Sequence, residues 1–257
     1  MEHEILPISN RTAFARADII DYFQGEEALF QAEKVLFEKL LPEIVDSRIL
    51  DLGVGGGRTT KYLLEISRKY TGVDYVQQFV DETRRKFPNA RILVGDARNL
   101  KAFADQSFDF VLFSFNGIDC ISHEDRLMAL GEIHRILSSG GIFMFSSHNR
   151  DYKYFKKHPW QRKIEFDAKF FRFFFYSLYH LPKHRAMKKH ERSVEDYAVA
   201  NDSDHRYAFL LYYITIEKQL KQLVEVGFSD IEAYDNEGKL VNSDISSHWI
   251  YYSARKK

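Results

Sequence analysis

The sequence predicts an α/β fold built on a doubly wound, mostly parallel sheet, and three observations predict it. Short apolar runs alternate with amphipathic stretches from about residue 45 to residue 150, the rhythm of strands joined by right-handed helical crossovers. The first runs end at Gly or Asp, in Asp51-Leu52-Gly53, Gly72-Val73-Asp74 and Gly95-Asp96. A glycine loop, Gly53-Val54-Gly55-Gly56-Gly57, lies between the first run and the helix after it. In such a sheet, ligands bind beyond the carboxyl ends of the strands, where the strand order reverses.

The elements follow in order. Residues 12–44 read as two helices, with Leu29, Ala32, Leu36 and Leu40 at helical spacing and Pro42 as the stop. Residues 48–52 form a buried strand and 59–68 a helix with Tyr62, Leu63 and Ile66 on one face. Residues 70–74 form a strand, 76–87 a helix closed by Pro88, and 90–95 a third strand. Phe108 to Phe113 is dense in β-formers, 126–137 is a helix ending at Gly140-Gly141, and 142–145 is the fifth strand. Regularity breaks at Arg150 and returns near Tyr212. Residues 216–226 are a strongly amphipathic helix stopped by Gly227, and 228–234 and 248–253 are the last strands.

Composition narrows the class. With 257 residues, 45% hydrophobic content and a formal charge of zero, the chain fits one large domain or a domain with an insertion. A single cysteine, Cys120, excludes an intramolecular disulfide framework. The start Met1-Glu2-His3-Glu4 lacks the pattern of a signal peptide, and no apolar run has the ~20 residues that cross a bilayer, so a cytoplasmic protein is expected. His180, His184 and His190 lack convincing metal-ligand spacing.

Three glycines at alternate positions let the backbone turn sharply and approach a ligand. A dinucleotide fingerprint needs its third glycine where Arg58 stands, and Asp51 beside the loop would repel a pyrophosphate while suiting a cationic amino-acid ligand. Taken singly, Asp74 also reads as a helix N-cap and Asp96 as a turn former.

Residues 49–57 resemble the first motif of class I S-adenosylmethionine-dependent methyltransferases. The resemblance extends to Gly72-Val73-Asp74, Gly95-Asp96-Ala97, the run from Phe108 to Asn116 and Leu137 to Gly141, covering about residues 45–150 and 212–257. It implies a Rossmann-like, seven-stranded sheet with an antiparallel last strand, and S-adenosylmethionine as cofactor. It implies that Asp51, Gly53 and Gly55 form the cofactor loop and that Asp74 accepts from the ribose hydroxyls. Tyr75 is then expected to pack on the adenine, and Asp96, with Ala97, to hold its amino group. Ser114 and Asn116, after the fourth strand, complete the expected cofactor set.

His148, in Ser146-Ser147-His148-Asn149 at the carboxyl edge, is the candidate general base, since histidine titrates near neutral pH; a loop histidine with local bonds is its alternative. Asn116 and Asp119 face the same edge, and His205, Tyr207, Tyr212 and Tyr213 are candidates to close the pocket from the insertion side, with core tyrosines as the favoured alternative. Asn116-Gly117-Ile118-Asp119 does not match the motif of amino-directed DNA methyltransferases.

The expected organisation is residues 1–44 as helices closing the cofactor site, 45–150 and 207–257 as the core, and 151–206 as an insertion or acceptor lid. From Arg150 to Arg192 there are 13 Lys/Arg and 4 Asp/Glu, with Tyr152, Tyr154, Phe155, Trp160, Phe166 and the cluster from Phe170 to Tyr176. That stretch suits a helical cap with Phe inside, a membrane-interface helix or an RNA-binding surface. The expected reaction is methylation of an oxygen or nitrogen of a small or glycan-like acceptor. An RNA- or lipid-directed enzyme and a non-catalytic cofactor-binding module are the alternatives.

Overall fold

The computed structural model describes residues 10–25, 28–156, 168–201, 207 and 209–257. Trp160, Phe166 and His205 lie outside them. One continuous sheet organises the chain. Its strands are β1 (Ile49–Leu52), β2 (Tyr70–Asp74), β3 (Arg91–Val94), β4 (Phe108–Phe113), β5 (Leu137–Asn149), β6 (Arg192–Ser193), β7 (Tyr197–Asn201), β8 (Leu210–Ile214), β9 (Phe228–Tyr234) and β10 (Trp249–Lys256). The helices are α1 (Ala17–Gly25), α2 (Gln31–Ile44), α3 (Thr60–Ile66), α4 (Gln77–Lys86), α5 (His123–Ile136), α6 (Ala168–Lys188) and α7 (Ile216–Val226).

The order β3-β2-β1-β4-β5 is wholly parallel, and β10 pairs antiparallel with β5 and then with β9. These seven strands form the expected sheet. Every residue of β1 and β2 is buried, as their near-continuous apolar runs require of strands covered on both faces. Two cores lie on the two sides of the sheet, one around Leu52, Val111, Ile133 and Phe143, the other around Leu36, Ile49, Val80 and Phe110. Local chemistry sets the helix ends. The Ser122 hydroxyl accepts from Asp125 N–H at the start of α5, and Gly227 closes α7 with φ 112°.

Pro42 does not stop α2, which carries it inside and runs on to Ile44. The structure differs from the sequence reading at two further places. α5 ends at Ile136 and β5 begins at Leu137, so Gly140-Gly141 lies inside the strand. There the register slips, Phe108 pairing with Leu137 but Phe110 with Ile142. The glycines absorb a bulge, with φ 76° at Gly140. The second difference is three further strands. β5 outruns β4, and its last residues, His148 and Asn149, pair in parallel with Tyr213 and Ile214 of β8. β7 and β6 then add antiparallel. The described part of the segment after Arg150 is thus a helix plus a small antiparallel sheet, joined to the main sheet at the carboxyl end of β5. Among the described residues, no helix is long and apolar enough to cross a membrane.

Candidate active site

The strand order reverses between β1 and β4, and a cavity opens above that point. Gly53 and Gly55 form its floor with φ of 67° and 51°, the left-handed region that disfavours a side chain. Gly53 N–H donates to Val73 O at 2.7 Å, which holds the loop on the end of β2. A Cβ on Gly55 would meet nothing nearer than the Gly53 carbonyl at 4.0 Å, so it would stand in the space a ligand needs.

Asp74 is buried at the wall. One carboxylate oxygen accepts from Gly55 N–H at 2.9 Å and the other from Val76 N–H at 2.8 Å. The carboxylate, which also draws on the Tyr75 backbone N–H, is therefore both a turn former and a loop support, with acceptor capacity left over. Burial raises its pKa to about 6, against the pull of those backbone donors. Tyr75, Asp96, Ala97 and Ser114 also line the cavity. Arg98 clamps Asp96 through Nε at 2.9 Å and Nη2 at 2.6 Å. Burial works to raise the Asp96 carboxyl, but the Arg98 side-chain and backbone hydrogen bonds outweigh it and hold it below its ordinary value.

Two expected residues stand behind the wall. Asp51 lies under the loop, where one oxygen accepts from the Thr59 hydroxyl at 2.8 Å and the Tyr70 hydroxyl at 3.0 Å. Its other oxygen has no hydrogen-bond partner, and burial lifts its pKa to about 7. Asn116 is buried, takes φ 56°, and donates its backbone N–H to the Ser146 hydroxyl. Phe115 beside it is also left-handed, at φ 52°. Two adjacent non-glycine residues in that region cost conformational energy, a strain typical of functional turns. They aim the Phe115 ring into the cavity, 5.4 Å from Phe23, 5.1 Å from Phe30 and 5.3 Å from Trp249.

Sequence reasoning missed several cavity residues. Phe14 and Phe23 reach it from the N-terminal helices, Phe14 lying 6.2 Å from the Tyr75 ring and Phe23 6.0 Å from Phe79. Arg58, where a dinucleotide motif would carry glycine, is buried on the wall. It meets Glu33 of α2 at 2.5 and 2.7 Å, donates to the Ser114 hydroxyl, and stacks 4.6 Å from Phe30. The available signal was Glu33, an acid on the apolar face formed by Ala32 and Leu36.

His148, at the end of β5, does not line the cofactor cavity. Its Nδ1 and its backbone N–H both meet one oxygen of Asp119, at 2.7 and 2.6 Å. The other Asp119 oxygen accepts from Arg126 at 2.5 Å and the Ser147 hydroxyl at 2.8 Å. Arg126 is fully buried and also donates to Gln219 at 2.5 Å. Because a carboxylate only accepts, the neutral His148 ring carries its proton on Nδ1 and leaves the Nε2 lone pair open. Tyr213 packs 4.9 Å from His148, and Trp249 lies between His148, at 6.2 Å, and Phe115. Tyr212 is core, beneath Arg126, and Tyr207 packs on His184. Among the described residues, no group of His, Cys, Asp and Glu forms a metal cluster.

The glycine cradle, the spare acceptor capacity of Asp74 and the ring-lined walls fit an adenosyl ligand that brings a ribose diol and a flat base. Comparison with known proteins agrees. Residues 49–141 match the family model of a methyltransferase domain. A probable S-adenosylmethionine-dependent methyltransferase of Mycolicibacterium smegmatis is 27% identical over 125 residues, 49% of this chain and 47% of that protein. The chain spans about half the length of the curated relatives it matches. An S-adenosylmethionine-dependent methyltransferase of Thermotoga maritima, described as a possible histamine N-methyltransferase, superposes with TM-score 0.60 and 18% identity over 96% of this chain and all of that one. The 1,6-didemethyltoxoflavin N1-methyltransferase of Burkholderia thailandensis does so with TM-score 0.60 and 17% identity over 98% of this chain and 88% of that one. The matched domain at residues 49–141, with the motif and the fold, supports a class I methyltransferase with S-adenosylmethionine as its cofactor.

Proposed function

We propose that the protein transfers a methyl group from S-adenosylmethionine to an oxygen or nitrogen atom of a small-molecule acceptor. The observation that carries this reading is the pairing of two adjacent strand-end sites. One is the glycine-floored cavity with Asp74 and Asp96. The other is the His148–Asp119 pair, joined to the cavity by the Phe115 and Trp249 rings. The bound cofactor supplies a methyl group already activated on a sulfonium, so the protein's work is positioning and proton removal. Asp74 accepts from the ribose hydroxyls, Asp96 and Ala97 take the base, and Tyr75 with Phe14 covers it. Gly53 and Gly55 let the backbone approach, with Asp51 and Asn116 holding the loop and the turn from behind. Ser114, fixed by Arg58, faces the same space.

His148 takes the proton that an acceptor hydroxyl or ammonium must lose, onto Nε2. Asp119 fixes the tautomer and ring direction through Nδ1, and Arg126 and Ser147 fix Asp119. A small acceptor is supported by the enclosing aromatic rings. It is supported also by the Burkholderia thailandensis neighbour, whose structure holds 1,6-didemethyltoxoflavin and S-adenosylhomocysteine.

Calorimetric titration with S-adenosylhomocysteine, beside a nicotinamide dinucleotide control, tests the first half. Micromolar binding of the former alone is expected, and binding of the dinucleotide alone would overturn it. With an acceptor identified by transfer of a labelled methyl group, His148→Gln should lower turnover about 10²- to 10⁴-fold. The same variant should leave the affinity for S-adenosylhomocysteine unchanged. Equal loss of both would make His148 structural.

A further inference from the structure

Helix α6 docks on the β6–β8 sheet by one face. His184 is buried there, 3.0 Å from the Asn201 side chain and 4.7 Å from the Tyr207 ring, and Met187 packs against the cluster that includes Tyr197, Leu210 and Tyr212. At 100° per residue, the opposite face carries Phe171, Phe175, Leu178 and Tyr179 at positions i, i+4, i+7 and i+8. They are 51, 65, 48 and 81% exposed, and Pro182 and Arg185 continue the exposed row. Lys188, Lys189 and Arg192 follow, all exposed. Residues 168–193 hold seven Lys/Arg and a single acid, Glu191, in a chain whose total charge is zero.

We infer that α6 is a membrane-surface helix, whose aromatic face enters the headgroup boundary of an anionic bilayer while Arg185, Lys188 and Lys189 meet lipid phosphates. A contiguous apolar face of this size marks an interaction site on a water-soluble surface. The positive charge at its end selects an anionic partner, and rings such as Tyr179 suit a boundary with an apolar side and a wet side. An interfacial helix needs an apolar face and a basic flank rather than the all-round apolarity of a membrane span, and α6, at 21 residues, has the first two without the third. The inference is independent of the chemistry at His148.

The test is flotation of the full chain with vesicles of phosphatidylglycerol mixed into phosphatidylcholine, against phosphatidylcholine alone. Two variants accompany it, Phe175→Ser/Tyr179→Ser and Arg185→Gln/Lys188→Gln/Lys189→Gln. Binding of S-adenosylhomocysteine and thermal melting confirm that each variant is folded. Tighter binding to the anionic vesicles is expected, with each variant weakening it about tenfold or more. Equal binding to both vesicle types, or no binding to either, would overturn the inference. So would an unchanged Phe175→Ser/Tyr179→Ser variant, which would leave only diffuse charge attraction. A lipid-free dimer abolished by that variant would assign the face to a second copy. RNA binding with the same sensitivity to both variants would assign it to nucleic acid.

Discussion

Asp74 makes two demands on one carboxylate, and they differ in sign with pH. With its pKa raised to about 6 in the fold, the carboxyl holds a proton that the unfolded chain would already have released. The ligand-free protein therefore gains stability from this group as pH falls below 6, by at most about 1.4 kcal/mol per unit, fully so below the unfolded value, and loses it as pH rises through 6. In the proposed role cofactor binding runs the other way, because a ribose diol would donate to the carboxylate. Affinity for S-adenosylhomocysteine should be flat above pH 6 and fall up to about tenfold per unit below it. Asp74→Asn should abolish that dependence and weaken binding about 10- to 100-fold at pH 8, for want of charged acceptors. Calorimetry across pH 5 to 8 checks both, and unchanged affinity in the variant would remove Asp74 from the ribose. Asp51 obeys the same sign with its pKa near 7, and its unpaired oxygen makes it the costlier charge. Asp51→Asn should therefore raise the melting temperature of the ligand-free protein at pH 8.

At the scale of elements, α2 is tied to the glycine loop by the Arg58–Glu33 ion pair, whose side chains are 7% and 1% exposed. Removing one partner strands a buried charge, so Arg58→Met or Glu33→Leu should each cost about 3 to 5 kcal/mol in urea unfolding. The double variant should recover much of that loss, and simple additivity would show the two residues to be uncoupled. In the sequence only Glu33, an acid on the apolar face of α2, announces this pair, and nothing there names Arg58 as its partner. The strands β1 and β4 were legible because each is a short, largely apolar run bounded by polar or glycine residues, and α7 because its apolar positions share one face. β6, β7 and β8 were not, although Phe209 to Ile214 is an unbroken apolar run. Their pairing depends on β5 continuing past β4 to His148 and Asn149, a length fixed by three-dimensional neighbours. The glycines, Asp74, Tyr75, Asp96, Ala97 and Ser114 were legible as strand ends around one switch point, and the structure puts them on the cavity. Asp51 and Asn116 belong to the same strand ends, but alternation turns them behind it. Arg126, charged and fully buried, lies on a helix whose pattern gave it no distinction.

Across the whole molecule, one residue joins what the strand order separates. The Asn10 side chain is buried and donates at 2.8 Å to Cys120 O and at 2.8 Å to Leu210 O, while its oxygen accepts from Leu210 N–H at 3.1 Å. The segment bearing Phe14 and Phe23 over the cofactor cavity is thus pinned to β8 and to the turn after β4. Each such bond contributes about 1 kcal/mol, so Asn10→Ala should speed S-adenosylhomocysteine dissociation about tenfold or more in stopped-flow measurements. The same pin dictates traffic. In the proposed arrangement the acceptor lies beside His148 and Tyr213 of β8, the strand to which this pin fastens the cofactor's cover, so a seated acceptor would hold that cover closed over the nucleoside. Turnover should then follow a compulsory sequence, nucleoside first in and last out. S-adenosylhomocysteine would compete with S-adenosylmethionine yet remain non-competitive toward the acceptor, whatever the concentration of the latter.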